Sequence, residues 1–507
     1  VEISKKCGCL LTFTALLLFT TPVTLASEVK SKSATSVSQL RDVQTTDWAF
    51  TALQSLIEDY GIIQGYPDGL FRGDRSISRS EFAAALNRVL AEIEQSAINN
   101  FTHTDLATIR KLQTSFAAEL ISLNKSLTTI ENKTQALEDN QFSTTTKLKG
   151  QTIFALSAGG FTGENVIAPT GTVVATEQPN TTFLYRSSLD LDTSFTGTDL
   201  LKVRLVTGSD GGSDNIAGFL EPNFGSVLDF SLAGRDGEFS LARLYYSFTP
   251  IEEVKVTLGS LMVATEYVDR NSYANNSSQD FSTQAITNNF ILFPRGRGSG
   301  AVLEWSPAKI PLKVTALYIA GNAANSEASD LAIEGSSAPI LLFPNRGGSG
   351  GLFNDPYQGI VEAEYSPREN ITLRLQYSGG EIFESPFDAV GINGEWAITP
   401  KLGIFARYGW SNYDNTLQGD ISPNYWMAGI AFPDLFKTGA SSGIAIAQPF
   451  IENKIGNATQ TNLEAFYNLP LQDNITLTPL IQVVTNPGNQ DDSGTIITGA
   501  LRTVFSF

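Results

Sequence analysis

A chain of 507 residues is long enough for several domains, and its formal net charge of −18 argues against nucleic acid as a partner. Hydrophobic residues make up 42% of it, yet no apolar run reaches the about 20 residues that a helix needs to cross a bilayer. The two cysteines, Cys7 and Cys9, both sit near the start, so the rest of the chain has no disulfide framework and no thiolate metal site.

The first element is a short apolar run over residues 10–19, behind Lys5 and Lys6 and ahead of Thr24-Leu25-Ala26. A basic front, a short apolar middle and a small-x-small end predict a secretory signal peptide over residues 1–26. Residues 27–39, rich in Ser, Lys and Thr, read as a flexible segment.

A small helical unit follows over residues 40–95. Trp48, Ala49, Ala52, Leu53, Leu56 and Ile57 fall at helical spacing, and that helix stops at Gly61. Tyr66-Pro67-Asp68-Gly69 is a turn signal, and Ser80, Phe82, Ala83 and Leu86 lie on a second helix. Leu40-Arg-Asp-Val43, Trp48-Ala49, Gly61 to Gly69, Phe71 and Ile77-Ser-Arg-Ser-Glu-Phe82 resemble the S-layer homology (SLH) domain family. The resemblance implies binding to a peptidoglycan-linked wall polysaccharide, often pyruvylated. It maps the family's Ile-Thr-Arg-Ala-Glu stretch onto Ile77 to Glu81, so that Arg79 would pair with an acidic sugar substituent. Trp48 either stacks beside that sugar or packs in the core, and Glu81 reads as an N-terminal helix charge. Such domains often come in threes; one copy is found here.

Within residues 101–140, Ile109, Gln113, Phe116, Leu120, Leu123, Leu127, Ile130, Thr134 and Leu137 alternate at spacings of three and four. This predicts a coiled coil with two polar core positions, against the alternative of an amphipathic helix packed on its own chain. The segment would reach roughly 45 Å at 1.5 Å per residue, enough to hold the wall-binding unit away from a membrane. His103, the only histidine, reads as an exposed residue beside it. No metal spacing, nucleophile elbow or phosphate loop stands out, so neither an enzyme, a metal site nor a cofactor is expected.

Residues 150–507 are mainly β. A strand ending in an aromatic residue, a proline turn and a new alternating strand recur at Leu303-Glu-Trp305-Ser-Pro307, Val361-Glu-Ala-Glu-Tyr365-Ser-Pro367, Ile392-Asn-Gly-Glu-Trp396 and Leu463-Glu-Ala-Phe-Tyr467. One face is aliphatic with Tyr or Trp at the ends, and the other is charged or polar. That is the pattern of a transmembrane antiparallel β-barrel with lipid outside and water inside, of about 16 strands for this length. Period-two reading places Leu189, Leu191, Leu201, Val203, Leu205, Leu303, Trp305, Val314, Leu373, Leu375, Ile404, Tyr408 and Trp410 outward. It places Arg186, Asp190, Asp192, Lys202, Arg204, Glu304, Lys313, Glu362, Glu364, Arg374, Glu395 and Arg407 in the lumen, either lining a water-filled bore or satisfying one another in a plugged barrel. Gly/Asn/Ser-rich stretches, such as residues 271–287 and 321–339, read as long loops at the rim opposite the short turns.

The chain ends Leu501-Arg-Thr-Val-Phe505-Ser-Phe507, which resembles the C-terminal signal of bacterial outer-membrane barrels. Together with the aromatic–proline hairpins, the coiled coil and the single SLH unit, it resembles cyanobacterial outer-membrane porins related to the carbohydrate-selective porin (OprB-like) family. The resemblance implies a homotrimer in the outer membrane, with a periplasmic N-terminal region. It also implies passive diffusion of small hydrophilic solutes and ions, carbohydrates or inorganic iron among them. The alternative is a structural tether between outer membrane and wall with little conduction. Two segments repeat, Ile291-Leu-Phe-Pro-Arg295-Gly-Arg297 and Leu341-Leu-Phe-Pro-Asn-Arg346. Arg295, Arg297 and Arg346 either form a constriction or sit at the rim and bind phosphates of outer-membrane lipids.

Overall fold

A strand in a bilayer cannot leave backbone N–H and C=O groups unpaired, because no water reaches them there. The structure, a computed structural model, meets that requirement by closing on itself. It describes residues 145–209, 220, 237–292, 297–327, 342–343 and 348–507. The expected signal peptide, flexible segment, SLH unit with Trp48 and Arg79, and coiled coil lie outside the described residues, as do Arg295 and Arg346.

In chain order the strands are β1 (Thr146–Phe161), β2 (Val166–Ile167), β3 (Val173–Ala175), β4 (Thr182–Thr193), β5 (Leu200–Gly208), β6 (Ser240–Ile251), β7 (Val254–Val263), β8 (Arg297–Trp305), β9 (Leu312–Ala320) and β10 (Tyr357–Arg368). They continue with β11 (Ile371–Ile382), β12 (Ser385–Thr399), β13 (Leu402–Thr416), β14 (Gly419–Ile421), β15 (Asn424–Pro433), β16 (Ser441–Ile451), β17 (Thr461–Gln472), β18 (Ile475–Thr485) and β19 (Ile496–Ser506). β2 and β3 form a separate hairpin, and β14 is a short addition to β13. The remaining sixteen pair antiparallel with their neighbours, and β1 pairs with both β4 and β19, so the sheet has no free edge.

The recurring hairpins form, but only β8 ends at its aromatic residue, because β10, β12 and β17 run on past Tyr365, Trp396 and Tyr467. Trp305 and Val314 pair across the β8–β9 turn, and Tyr365 and Leu373 across the β10–β11 turn. Such short turns gather on one rim with both ends of the barrel, whereas longer connections leave β1, β5, β7 and β9 at the other rim. The β4–β5 turn is held by Asp199, whose carboxylate accepts from the Ser194 hydroxyl (2.8 Å), the backbone N–H of Phe195 (2.9 Å) and Thr196 (2.8 Å), and the Tyr246 hydroxyl (2.8 Å). This one side chain replaces the donors' lost strand partners.

Outward positions follow the period-two reading. Leu303, Trp305, Leu373, Leu375, Ile404, Tyr408 and Trp410 are exposed, and Leu189, Leu191, Leu201, Val203, Leu205 and Val314 are half-buried. Aromatic rings meet on this outer face. Phe154 stacks on Phe183, Tyr246 on Phe248, and Tyr408 tilts against Trp410. Inward positions carry the polar side chains, but the interior also holds an apolar cluster around Phe281, Phe290, Phe383, Phe405, Tyr413 and Phe450.

Closure runs through the last residue. The backbone of Gly150 exchanges hydrogen bonds with Phe507, and a Cβ at Gly150 would strike the Phe507 ring. Gly150→Val is therefore expected to displace that ring and weaken the β1–β19 seam by about 1–3 kcal/mol, the usual range for overpacking. The measurement is the temperature at which the folded barrel loses its faster migration in SDS gels. An unchanged transition would show that Phe507 does not hold the seam.

Candidate functional site

The connection from β7 to β8 does not leave the barrel as a rim loop. It turns inward through a 3-10 turn (Ala264–Glu266), and a short helix, α1 (Gln284–Thr287), lies against β16. Asp269 is the hub of this inner loop. Its carboxylate takes the Arg407 Nε (3.0 Å), the Asn393 amide (2.8 Å) and the backbone N–H of Asn289 (2.7 Å), and the Arg407 and Asp269 side chains are wholly buried. Arg407 also donates to the carbonyls of Asp269, Ala274 and Ile286 at 2.8–2.9 Å. A buried guanidinium needs every N–H paired, and a polar loop with free carbonyls is what supplies the partners.

Carboxylates on the wall do the converse. Glu362 on β10 accepts from the backbone N–H of Asp269 (2.7 Å), and Glu395 on β12 accepts from that of Ser272. Glu464 on β17 takes both the N–H and the hydroxyl of Ser282 (2.6 and 2.7 Å) and of Thr283 (3.2 and 2.9 Å). Arg502 on β19 donates to the carbonyls of Ser277 and Asp280. The hydroxyls of Tyr425 and Tyr413 and the amide of Gln358 reach the carbonyls of Ala285, Ile291 and Leu292.

Glycines make room for this. Gly391 and Gly409 face each other across β12 and β13 on the inward side, and a side chain at either would meet the amide of Asn289. Gly403 lies under the Tyr273 ring and Gly443 under Phe281. The apolar halves of the two repeated segments also turn inward. Ile291 and Leu292 are buried, as are Leu342 and Phe343, whose ring meets Phe383 and Tyr413 edge-on.

The opposite wall, β1 and β4 to β9, carries a ladder of ion pairs. Lys149 meets Asp192 (2.9 Å), Lys202 meets Asp190 (2.7 Å) and Asp192 (2.8 Å), and Arg204 meets Asp190 (2.6 Å). Glu266, at the root of the inner loop, joins Arg204 (3.5 Å) to Arg243 (2.8 Å). Further round, Glu304 is shared by Lys255 (3.2 Å) and Lys313 (2.5 Å). These are cross-strand pairs of opposite charge on one face, a stabilising arrangement in a sheet.

Of the twelve residues read as lumen-facing, eleven divide in two, and the twelfth, Glu364, is half-buried beside Arg374. Arg186, Asp190, Asp192, Lys202, Arg204, Glu304 and Lys313 stand on the inward face of the ladder wall, half-buried, with Arg186 3.5 Å from the Ser277 hydroxyl of the loop. Glu362, Arg374, Glu395 and Arg407 also point inward but are buried; the first, third and fourth are anchors for the loop rather than a wetted surface, because the loop covers them. Arg374 bridges Glu364 (2.6 Å) and Glu395 (3.0 Å) beneath it. Arg297 opens β8 with the parity of Ser299, Leu303 and Trp305, on the side away from the bore, so the structure places it in the outer wall and not in the constriction. The stretch 271–287, read as a rim loop, is instead the inner loop.

Sequence reasoning missed Asp269, Glu464, Arg502 and Arg270. Glu464 holds in Leu463-Glu-Ala-Phe-Tyr467 the place that Glu362 holds in Val361-Glu-Ala-Glu-Tyr365, and Arg502 has the inward parity of the last strand, so both carried a signal. Asp269 and Arg270 carried none, since nothing local says that a loop turns inward.

Comparison with known proteins agrees with this architecture. The profile of the carbohydrate-selective porin, OprB family, matches residues 103–507, and that of the S-layer homology domain matches residues 39–83. The chain is 32% identical over 515 residues to an uncharacterized protein of Nostoc sp., covering 93% of this chain and 85% of the relative. It is 31% identical over 515 residues to an uncharacterized protein of Synechocystis sp., covering 93% and 91%. Outer membrane protein SlpA of Thermus thermophilus is 32% identical over 111 residues, 20% of this chain and 12% of that one. Among solved structures, Pseudomonas putida OprB superposes with a TM-score of 0.52 at 15% identity, over 74% of this chain and 96% of that one, a likeness of fold alone.

The inner loop gives a direct test. Removing one partner of a buried ion pair leaves the other charge uncompensated, at about 3–5 kcal/mol. Asp269→Ala is expected to release the loop while the barrel stays closed, and Gly409→Leu is expected to do the same by filling the Asn289 socket. Limited proteolysis of the detergent-folded protein should then cut within residues 264–292, where the wild type resists. Equal resistance in both variants would show that these contacts do not hold the loop.

Proposed function

The chain belongs to the carbohydrate-selective porin, OprB family, and from that membership we propose that it is a passive channel for small hydrophilic solutes and ions. It is an outer-membrane protein with an S-layer homology domain in its N-terminal region. The observation that carries the channel reading is the asymmetry of the bore. One wall is covered by the inner loop, while the other keeps charged, partly solvated side chains facing the space that is left. Carbohydrates and inorganic ions, iron included, are the solutes proposed on the strength of the family. No catalytic role is proposed.

The N-terminal arrangement completes the reading. Residues 1–26 act as an export signal, 27–39 as a flexible segment, 40–95 as the wall-binding domain and 101–140 as a coiled coil that joins three copies. Arg79 and Trp48 contact the peptidoglycan-linked polysaccharide. The match of the S-layer homology domain to residues 39–83 supports a wall-facing role for this region. A tether and a channel are compatible in one molecule, and the tether alone is the second reading.

Two measurements separate them. Full-length protein in planar bilayers should give discrete conductance steps; insertion without conduction would leave only the tether. Deleting residues 40–95 should abolish co-sedimentation with peptidoglycan sacculi and leave conductance unchanged. Arg79→Ala should weaken that sedimentation, because a shielded guanidinium–anion contact is worth more than an exposed one. Sedimentation that survives the deletion would remove the tether.

A further inference from the structure

We propose that the passage prefers small anions and that Arg270, at the turn of the inner loop, is the residue that sets this preference. The inference rests on the channel reading and specifies its solute class.

The position of Arg270 follows from its neighbours. Asp269 and Asn271 on either side are 1% and 4% exposed, and both side chains bond to groups of the β12–β13 wall. The backbone between them is fixed to the same wall, since Asn393 donates to the carbonyls of both Asp269 and Arg270 (3.1 Å each), and Glu395 accepts from Ser272. With both flanking side chains turned to the wall, that of Arg270 is directed to the other side, and it is exposed. An exposed side chain on a loop folded inside a closed barrel faces the bore. No ion pair engages it among the described residues, whereas Arg407, Arg374, Arg204 and Arg243 are all paired.

The facing wall presents the same sign. On the inward face of β1 and β4 to β9, basic side chains outnumber acidic ones. Three of the pairs are also layered. Lys149, Lys255 and Lys313 are 61%, 49% and 36% exposed, whereas their partners Asp192 and Glu304 are 12% exposed. The carboxylates lie at the wall and the ammonium groups stand over them toward water. A solute in the bore therefore meets cations on both sides, although the whole chain carries −18. Low-dielectric walls focus such a field and raise the local concentration of the opposite charge. A small hydrated anion is the class that fits. Salt should weaken the effect, since screening shortens from about 10 Å at 0.1 M to about 3 Å at 1 M.

The test is the reversal potential of full-length protein in planar bilayers under a KCl gradient. Wild type should pass chloride in preference to potassium, more so near 0.1 M than near 1 M salt. Arg270→Glu should lower the chloride-to-potassium permeability ratio by about threefold or more, and Arg270→Lys should keep the wild-type ratio. Because this side chain is exposed, both variants should keep the folded migration in SDS gels. A conducting wild type that prefers potassium, or an Arg270→Glu channel with an unchanged ratio, overturns the inference and leaves the channel intact. A wild type that never conducts overturns the channel reading, and the inference with it.

Discussion

Everything in this structure depends on one constraint: inside a bilayer, a strand must find a partner for each of its backbone groups. A sheet meets that only by closing, and here closure falls to β1, which pairs with β4 on one side and β19 on the other. The cost of an open edge explains why the chain's last residues are part of the wall. It also explains why Gly150 is small where Phe507 lies across it. Once the cylinder is closed, the alternation of side chains becomes a division between lipid and interior, and the interior must then be filled or wetted.

The protein does both, on opposite walls. β10 to β19 carry buried acids and arginines whose partners are not one another alone but the backbone of the inner loop. Arg407 spends its donors on three loop carbonyls and on Asp269, and Glu464 collects four donors from Ser282 and Thr283. Buried charges of this kind would be costly unless paired, so the loop and the wall each satisfy the other. The result is a loop held against one wall of the barrel by many hydrogen bonds. On the other side, the ladder from Lys149 to Arg243 stays partly solvated, because the loop meets it only through Glu266 and Ser277 among the described residues. The contrast gives the barrel interior one side covered by the loop and one side lined with charged side chains.

Much of the barrel was legible in the chain. The strand end at Trp305, the outward aliphatic positions and the strand number all follow from period two and from local turn chemistry, whereas β10 and β12 run past Tyr365 and Trp396 to Arg368 and Thr399. The ion pairs on the ladder wall were legible too, since acids and bases on adjacent arms of a hairpin must meet. What could not be read was the destination of residues 264–292. Their composition is that of any polar loop, and turning inward depends on Glu362, Asn393, Arg407, Glu464 and Arg502, which are distant in sequence. For the same reason inward parity alone did not show that Glu362, Glu395 and Arg407 anchor a loop, or that the glycines at 391, 403, 409 and 443 make room for it.

The sequence by itself determined the local alternation, the turns and therefore the closed sheet, because those are set by neighbours one or two residues apart and by the lipid outside. Only the tertiary structure decided which inward charges are buried and which face water. It decided that Arg297 has outward parity, while Arg270 is exposed on a loop whose neighbouring side chains are buried against the wall. Burial inside a barrel is settled by a segment that arrives from elsewhere in the chain, and the energy that holds it there, buried charge against backbone, exists only after the barrel has closed around it.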